Sequence, residues 1–242
     1  MDATQRAVDD AIALKIGQLL CSRLCHDLIG PTAAINAGGE LMGDDDDDDD
    51  DEDNDDVRDL IVDSARQLAG RLTFFRIAFG QGGARSGGLP FAEVRELAAG
   101  YLHGSRVQFE WEDEEDKPSS GAMLSGDNTR LLLCLIMLAT DALPRGGRVS
   151  VRIHQRGKET LLSIMVAGRS IHLANDVIEA LQATEATAVT PRTVHAFYLS
   201  CLATRLHASI AFDGAIEGGP ADRLEMQVRV PQSSVAAERL CA

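Results

Sequence analysis

Two long helical stretches, neither able to bury both of its flanks alone, constrain this chain more than anything else in it. Residues 4 to 42 carry only Gly17, Gly30, Pro31, Gly38 and Gly39 as breakers. Their apolar residues recur at spacings of three and four, the pattern of one long helix with Pro31 as the place where it can bend. A second stretch runs from Asp55 to Gly80 (DDVRDLIVDSARQLAGRLTFFRIAFG), and its acidic first turn suits the positive end of a helix dipole. The two predict a helical hairpin. An apolar seam on each helix stays open unless another hairpin covers it, so the pattern also predicts a homodimer built as a four-helix bundle with twofold symmetry.

Between the stretches, Asp44 to Asp56 holds twelve acids in thirteen residues. Like charges at that density cannot pack, and the run lacks the spaced ligands and turn glycine of a calcium loop, so it reads as a solvated loop at the hairpin tip. Of the 38 acids in the chain, 26 remain outside it against 23 bases. A near-neutral body without a basic cluster excludes nucleic acid as a direct partner, because phosphate contacts need several cations on one surface. No run of about 18 apolar residues is present, and the start MDATQRAVDDAIAL lacks the basic and apolar regions of a signal peptide. The expectation is a cytoplasmic protein without a membrane span. The five cysteines form an odd set that suits reduced thiols. Cys21, Cys25 and His26 share a helix, but no second cluster completes four ligands, so no metal is expected.

Residues 81 to 90 (QGGARSGGLP) are a flexible connector by composition. They divide a hairpin unit, 1–80, from a unit spanning 91–242. In the latter, helices are expected at Phe91 to Leu102, Asn128 to Ala142, Ala174 to Ala183 and Pro191 to Leu206. Strands are expected at Arg106 to Glu112, Arg148 to Gln155, Thr160 to Ala167, Ser209 to Asp213 and Arg223 to Val230. That mixture predicts one mixed sheet under helices, making the chain α+β overall.

On a helical wheel centred on His26, Leu14, Gly17, Leu20, Cys21, Leu24, Leu28, Pro31 and Ile35 lie within about 60° of the opposite direction. The imidazole therefore points away from the seam. Lys15, Ser22, Arg23, Gly30 and Ala33 share its side, small or cationic neighbours that leave room for a bulky partner. Imidazole is a nucleophile, and an adjacent carboxylate, here Asp27, can bond its non-reacting nitrogen and fix the tautomer. Pro31 leaves the Asp27 carbonyl without its helical donor.

The string His26-Asp27-Leu28-Ile29-Gly30-Pro31 resembles the H-box of histidine-kinase dimerisation domains, in which the histidine accepts a phosphoryl group. The second unit is similar to the kinase ATP-binding module, with its nucleotide boxes altered. Arg130 to Gly147 resembles the helix that carries the N-box, but Cys134 and Leu138 stand where kinases have asparagines. In Ser163 to Ile171, Val166 replaces the adenine-reading aspartate and Ser170 the second glycine of the Asp-x-Gly-x-Gly box. Thr190 to His207 occupies the place of the lid but has no glycine to wrap phosphates. A retained fold without nucleotide contacts resembles the ChpT-type histidine phosphotransferases, and Asp63 to Gly80 looks like that family's segment of the same place.

The resemblance implies phosphoryl transfer on His26 from a receiver domain of a hybrid histidine kinase to receiver domains of response regulators. It implies no cofactor on this chain, Mg²⁺ being held by the partner receiver. The competing reading is a pseudokinase scaffold that only binds receivers. Leu19, Arg23 and Gly30 are candidates for the receiver interface, with Arg152 an outlying contact. Ile12, Ile16 and Leu19 could equally pack against the second helix or the neighbouring domain. Arg148, Ser150, Arg152, His154 and Arg156 alternate with Val149, Val151 and Ile153, which predicts a strand with a basic outer face.

Overall fold

In the computed structural model the apolar repeat becomes a single helix, α1 (Ala3–Gly43), continuous through Pro31. The structure describes residues 3–43, 51–80, 88–112, 122–157, 159–214 and 221–231. The second helix, α2 (Asp51–Ala78), packs along α1 as the other arm of the hairpin. It begins four residues earlier than expected, so Asp51 to Asn54, read from the sequence as loop, are helical; acids are favoured at a helix start. The rest of the acidic run, 44–50, and the 81–87 part of the connector lie outside the described residues.

The remaining elements alternate as composition suggests: α3 (Phe91–Leu102), β2 (Val107–Glu112), α4 (Gly126–Asp141), β4 (Gly147–Arg156), β5 (Glu159–Ile171), α5 (Asn175–Gln182), α6 (Val194–Arg205), β6 (Ser209–Gly214) and β7 (Ala221–Pro231). Two short strands that the sequence did not signal, β1 (Leu89–Pro90) and β3 (Met123–Leu124), pair antiparallel beside the start of α4. The five long strands form one mixed sheet in the order β2-β4-β5-β7-β6, with only β2 and β4 parallel. Alternation along the strands sends Val149, Val151, Ile153, Leu162, Ile164, Val166, Leu224, Met226 and Val228 to one face, where all are buried. The helices cover that face. Ser125 caps α4 by accepting from the Asn128 amide, and the helix that follows is buried on every side between the sheet and its neighbours.

The outer sheet face is less basic than its strand alone implies. Parallel pairing sets β2 beside β4, so Glu110 meets Arg148 at 3.2 Å and Glu112 bonds Arg152. These two arginines are each paired with an acid about 40 residues away in the chain, which no local pattern could reveal.

The α/β layer is docked onto the hairpin rather than hung from it. Gly70 of α2 and Gly100 of α3 cross so closely that a Cβ on Gly70 would come 2.3 Å from the Gly100 carbonyl oxygen. Next to this crossing Phe74 stacks on Tyr101 with ring centroids 4.1 Å apart, and His103 meets Asp63 at 2.7 Å. On the other arm, Lys15 donates to the Thr187 carbonyl. Ile12, Ile16 and Leu19 lie half-buried against the core, as do Leu20, Leu24 and Leu28. Helix α1 is thus apolar on two sides, one facing α2 and the other facing α6 and the short 3-10 turn Ala186–Ala188. Among the described residues no helix is long and apolar enough to cross a membrane.

Candidate functional site

His26 lies in the middle of α1 with its side chain 85% exposed, as the wheel requires for a residue opposite the seam. Its Nδ1 is 3.2 Å from Asp27 Oδ1, so when this nitrogen carries the proton the carboxylate accepts it and Nε2 is left as the free lone pair. Asp27 is itself anchored. Its other oxygen accepts from Arg23 Nε at 2.9 Å, and its backbone carbonyl, the one deprived of a helical donor by Pro31, is bonded by Nη1 of Arg71 on α2. The proline thus leaves open a backbone acceptor that ties α2 to the residue beside His26.

Arg23 is not the free surface cation that its helical position suggests. Its side chain is 12% exposed. Nη2 meets Asp141 Oδ1 at 3.0 Å and Nη1 donates to the Arg192 carbonyl at 3.0 Å. Burial opposes its charge, but Asp141 and Asp27 outweigh burial and hold the guanidinium more firmly protonated than usual. Asp141 ends α4. Burial pushes its carboxyl up, yet the His195 ring and the Arg23 guanidinium more than compensate and keep it below the ordinary aspartate value. His195, fully buried in α6, sets Nε2 3.1 Å from Asp141 Oδ2, and neither of its ring nitrogens has a hydrogen-bond partner among the described residues.

Ser22, Arg23, His26 and Asp27 of α1 form one wall of a cleft of about 660 Å³. Asp141 and the segment Thr190, Pro191 and Arg192 form the other. That segment is held by the Thr193 hydroxyl, which accepts from the Thr190 amide at 3.1 Å, and by the Arg192 carbonyl on Arg23.

Of the residues singled out in the sequence, His26, Asp27 and Arg23 are brought together here. Gly30 lies one turn on, exposed, and a Cβ there would meet nothing within 4 Å. Leu19 takes the packing role against the core. Arg152 points from the outer sheet face and does not line the cleft. Asp141, Thr190, Pro191, Arg192 and His195 were missed. Their one sequence signal is weak: Asp141 and His195 are charged or titratable groups within otherwise apolar helical stretches.

The positions that the sequence resemblance set against nucleotide boxes are packed. Cys134, Leu138 and Val166 are fully buried in the core, and burial lifts the Cys134 thiol to about 12. Ser170 retains a left-handed φ of 61°, the backbone of a glycine turn now carrying a side chain.

Known proteins resemble this chain over most of its length. Residues 91–217 match the family model "Histidine phosphotransferase C-terminal domain". The protein phosphotransferase ChpT of Brucella abortus (strain 2308) is 33% identical over 167 residues, covering 69% of this chain and 74% of that protein. This chain belongs to the histidine phosphotransferase family. A 1.7 Å structure of a bacterial phosphotransferase superposes with a TM-score of 0.71 at 29% identity, covering 89% of this chain and 96% of that one. The likeness to a phosphotransferase structure therefore extends beyond the matched α/β region and takes in most of the chain.

Proposed function

We propose that this histidine phosphotransferase acts in a phosphorelay, with His26 as the residue that carries the phosphoryl group. Nε2 of His26 attacks the phosphorus of an aspartyl phosphate on the receiver domain of a hybrid histidine kinase. The N–P bond forms, the acyl P–O bond breaks and the receiver's carboxylate leaves. The reverse exchange delivers the group to the aspartate of a response regulator's receiver. The observation that carries this reading is the exposed ring whose Nδ1 faces Asp27 at 3.2 Å. The proton stays on Nδ1, and the Asp27 carboxylate offsets the positive charge that the ring gains on phosphorylation. Positioning is this chain's main contribution; the receiver supplies Mg²⁺ and the acidic site.

No nucleotide is needed on this chain. Side chains packed without exposure at Cys134, Leu138 and Val166 support that reading, since neither a thiol nor an alkyl group can hold Mg²⁺ or read adenine. Exposed Leu14, Ile29, Leu60 and Leu72 on the hairpin support a homodimeric four-helix bundle in which a second copy covers them. Free, exposed Cys21, Cys25 and Cys201 suit a reducing, cytoplasmic setting.

Incubation with a receiver domain carrying radiolabelled aspartyl phosphate tests the assignment. Acid-labile, base-stable label is expected on the wild-type chain and none on His26→Ala, which keeps its helicity and size because the ring is outside the packing. Absence of label from the wild type, with receiver binding intact, would favour the scaffold reading.

A further inference from the structure

Three contacts lead from Asp141, at the end of α4, to the phosphoryl-accepting ring, and the buried His195 lies against Asp141 from behind. His195 Nε2 is 3.1 Å from Asp141 Oδ2, Asp141 Oδ1 is 3.0 Å from Arg23 Nη2, Arg23 Nε is 2.9 Å from Asp27 Oδ2, and Asp27 Oδ1 is 3.2 Å from His26 Nδ1. We propose that Asp141 is a positioning residue for His26: acting through Arg23, it fixes the carboxylate of Asp27 and with it the Nδ1–H tautomer that leaves Nε2 free to react. This deepens the phosphorelay reading and rests on it.

The argument is one of competition for a carboxylate. A guanidinium presents its N–H groups in a rigid planar fork, and here Nε serves Asp27, Nη2 serves Asp141, and Nη1 is shared between the Arg192 carbonyl and the second Asp141 oxygen at 3.4 Å. With two carboxylates sharing the cation, Asp27 keeps one oxygen for the imidazole. With Asp141 neutralised, the charge of a side chain only 12% exposed has Asp27 as its remaining anionic partner. In so poorly solvated a place that attraction is strong, and it draws the Asp27 carboxylate toward Arg23 and away from His26. Asp141 also reaches this position only because α4 ends at the cleft. The kinase-like layer, without a nucleotide to hold, thereby contributes to the transfer site of the hairpin.

A purely mechanical latch between the two layers would use the same contacts, and two measurements on the full chain separate the roles. The first is a double-mutant cycle on the transfer rate at saturating phosphorylated receiver. Asp141→Asn is expected to slow transfer about five- to tenfold in the wild-type background and less than about twofold once Asp27→Asn is present, because residues acting through one another are not additive. The second is ¹⁵N-histidine NMR without any receiver, His26 being assigned by its absence in His26→Ala. Asp141→Asn is expected to convert the Nδ1–H signature of His26 into a mixture of tautomers. Full additivity in the cycle, or an unchanged His26 signature, would overturn the proposal.

Should Asp141→Asn fail to fold, Arg23→Lys probes the same link. A lysine ammonium keeps the charge but cannot span both carboxylates and the carbonyl, so the same change of tautomer is expected, and its absence would overturn the proposal. Because the NMR measurement needs no phosphoryl donor, it tests Asp141 even if the wild type takes no label, an outcome that would count against the relay reading alone.

Discussion

Helices α1 and α4 both carry strings that resemble kinase motifs, and they have met opposite fates. On α1 the His26 ring is 85% exposed and stands within a set of polar contacts. On α4, eleven of the sixteen residues are buried, and the two positions that would hold asparagines are occupied by Cys134 and Leu138 with no exposure at all. A side chain that does chemistry must be reachable and oriented by neighbours, whereas one with no such task can be absorbed into packing, where it adds to stability. The face of α4 is core, and its last residue, Asp141, lines the His26 cleft.

The largest effect on stability should come from reversing that fate. Leu138→Asn places an amide in a fully buried site and removes apolar volume, at a cost of about 3–5 kcal/mol, read as a fall in the urea midpoint. Adding Cys134→Asn should deepen the loss without creating a nucleotide site, because Val166 still faces where an adenine-reading carboxylate would be needed. Calorimetry with Mg-ATP is expected to show no binding for either the variant or the wild type. A micromolar dissociation constant would break the contrast between the two helices.

Next in size is the joint that fixes one region against the other. A methyl group on Gly70 has no room opposite the Gly100 carbonyl, so Gly70→Ala should cost about 1–3 kcal/mol as α2 and α3 are forced apart. Thermal unfolding measures it. A stability unchanged by this methyl would mean that the crossing is looser than 2.3 Å implies.

The acid side of the stability curve sharpens the comparison further. Asp141 is held below its ordinary value in the folded chain, so between that folded value and about pH 4 the unfolded chain binds more protons there. Its contribution to stability is complete above about pH 4 and is lost as pH falls through the folded value. Asp141→Asn should therefore lower Tm at pH 7 and flatten its decline over the interval below about pH 4. A variant whose Tm falls as steeply as the wild type's over that interval would show that another carboxylate governs the acid arm.

Much of this was legible in the sequence because it is local. The span of α1, the mixed sheet, the outward face of His26 and the pairing of Asp27 with its ring all follow from periodicity and adjacency. What covers a face is not local. The wheel put Arg23 and Leu19 on the His26 side of the helix, and both are there, but α6 and the turn before it cover that flank. Arg23 thereby becomes half of a concealed ion pair with a residue 118 positions away. Arg152 is a similar case, since Glu112 sits beside it only through the parallel register of β2 and β4. The two-residue strands β1 and β3 escaped notice because a pair so short has no period to detect.

The smallest effect concerns Gly30 and should have the opposite sign to that at Gly70. Both are helical glycines, and a glycine inside a helix is less favourable than alanine by about 0.5–1 kcal/mol. At Gly70 packing explains the residue. At Gly30 no described atom beyond its own stretch of helix lies within 4 Å of where a Cβ would be, although the Cδ of Pro31, next in the helix, crowds a Cβ on the residue before it. Gly30→Ala should therefore raise stability by no more than about 0.5 kcal/mol, seen as a small rise in Tm. The bare surface it leaves one turn from His26 is also room for a partner on the proposed reading, and there the variant should transfer phosphoryl groups from the receiver several-fold more slowly, and Gly30→Leu more slowly still, with the hairpin intact. If Gly30→Ala gains stability and leaves transfer unchanged, the receiver approaches His26 from the side of the cleft lined by Thr190, Pro191 and Arg192, and Gly30 has no part in the interface.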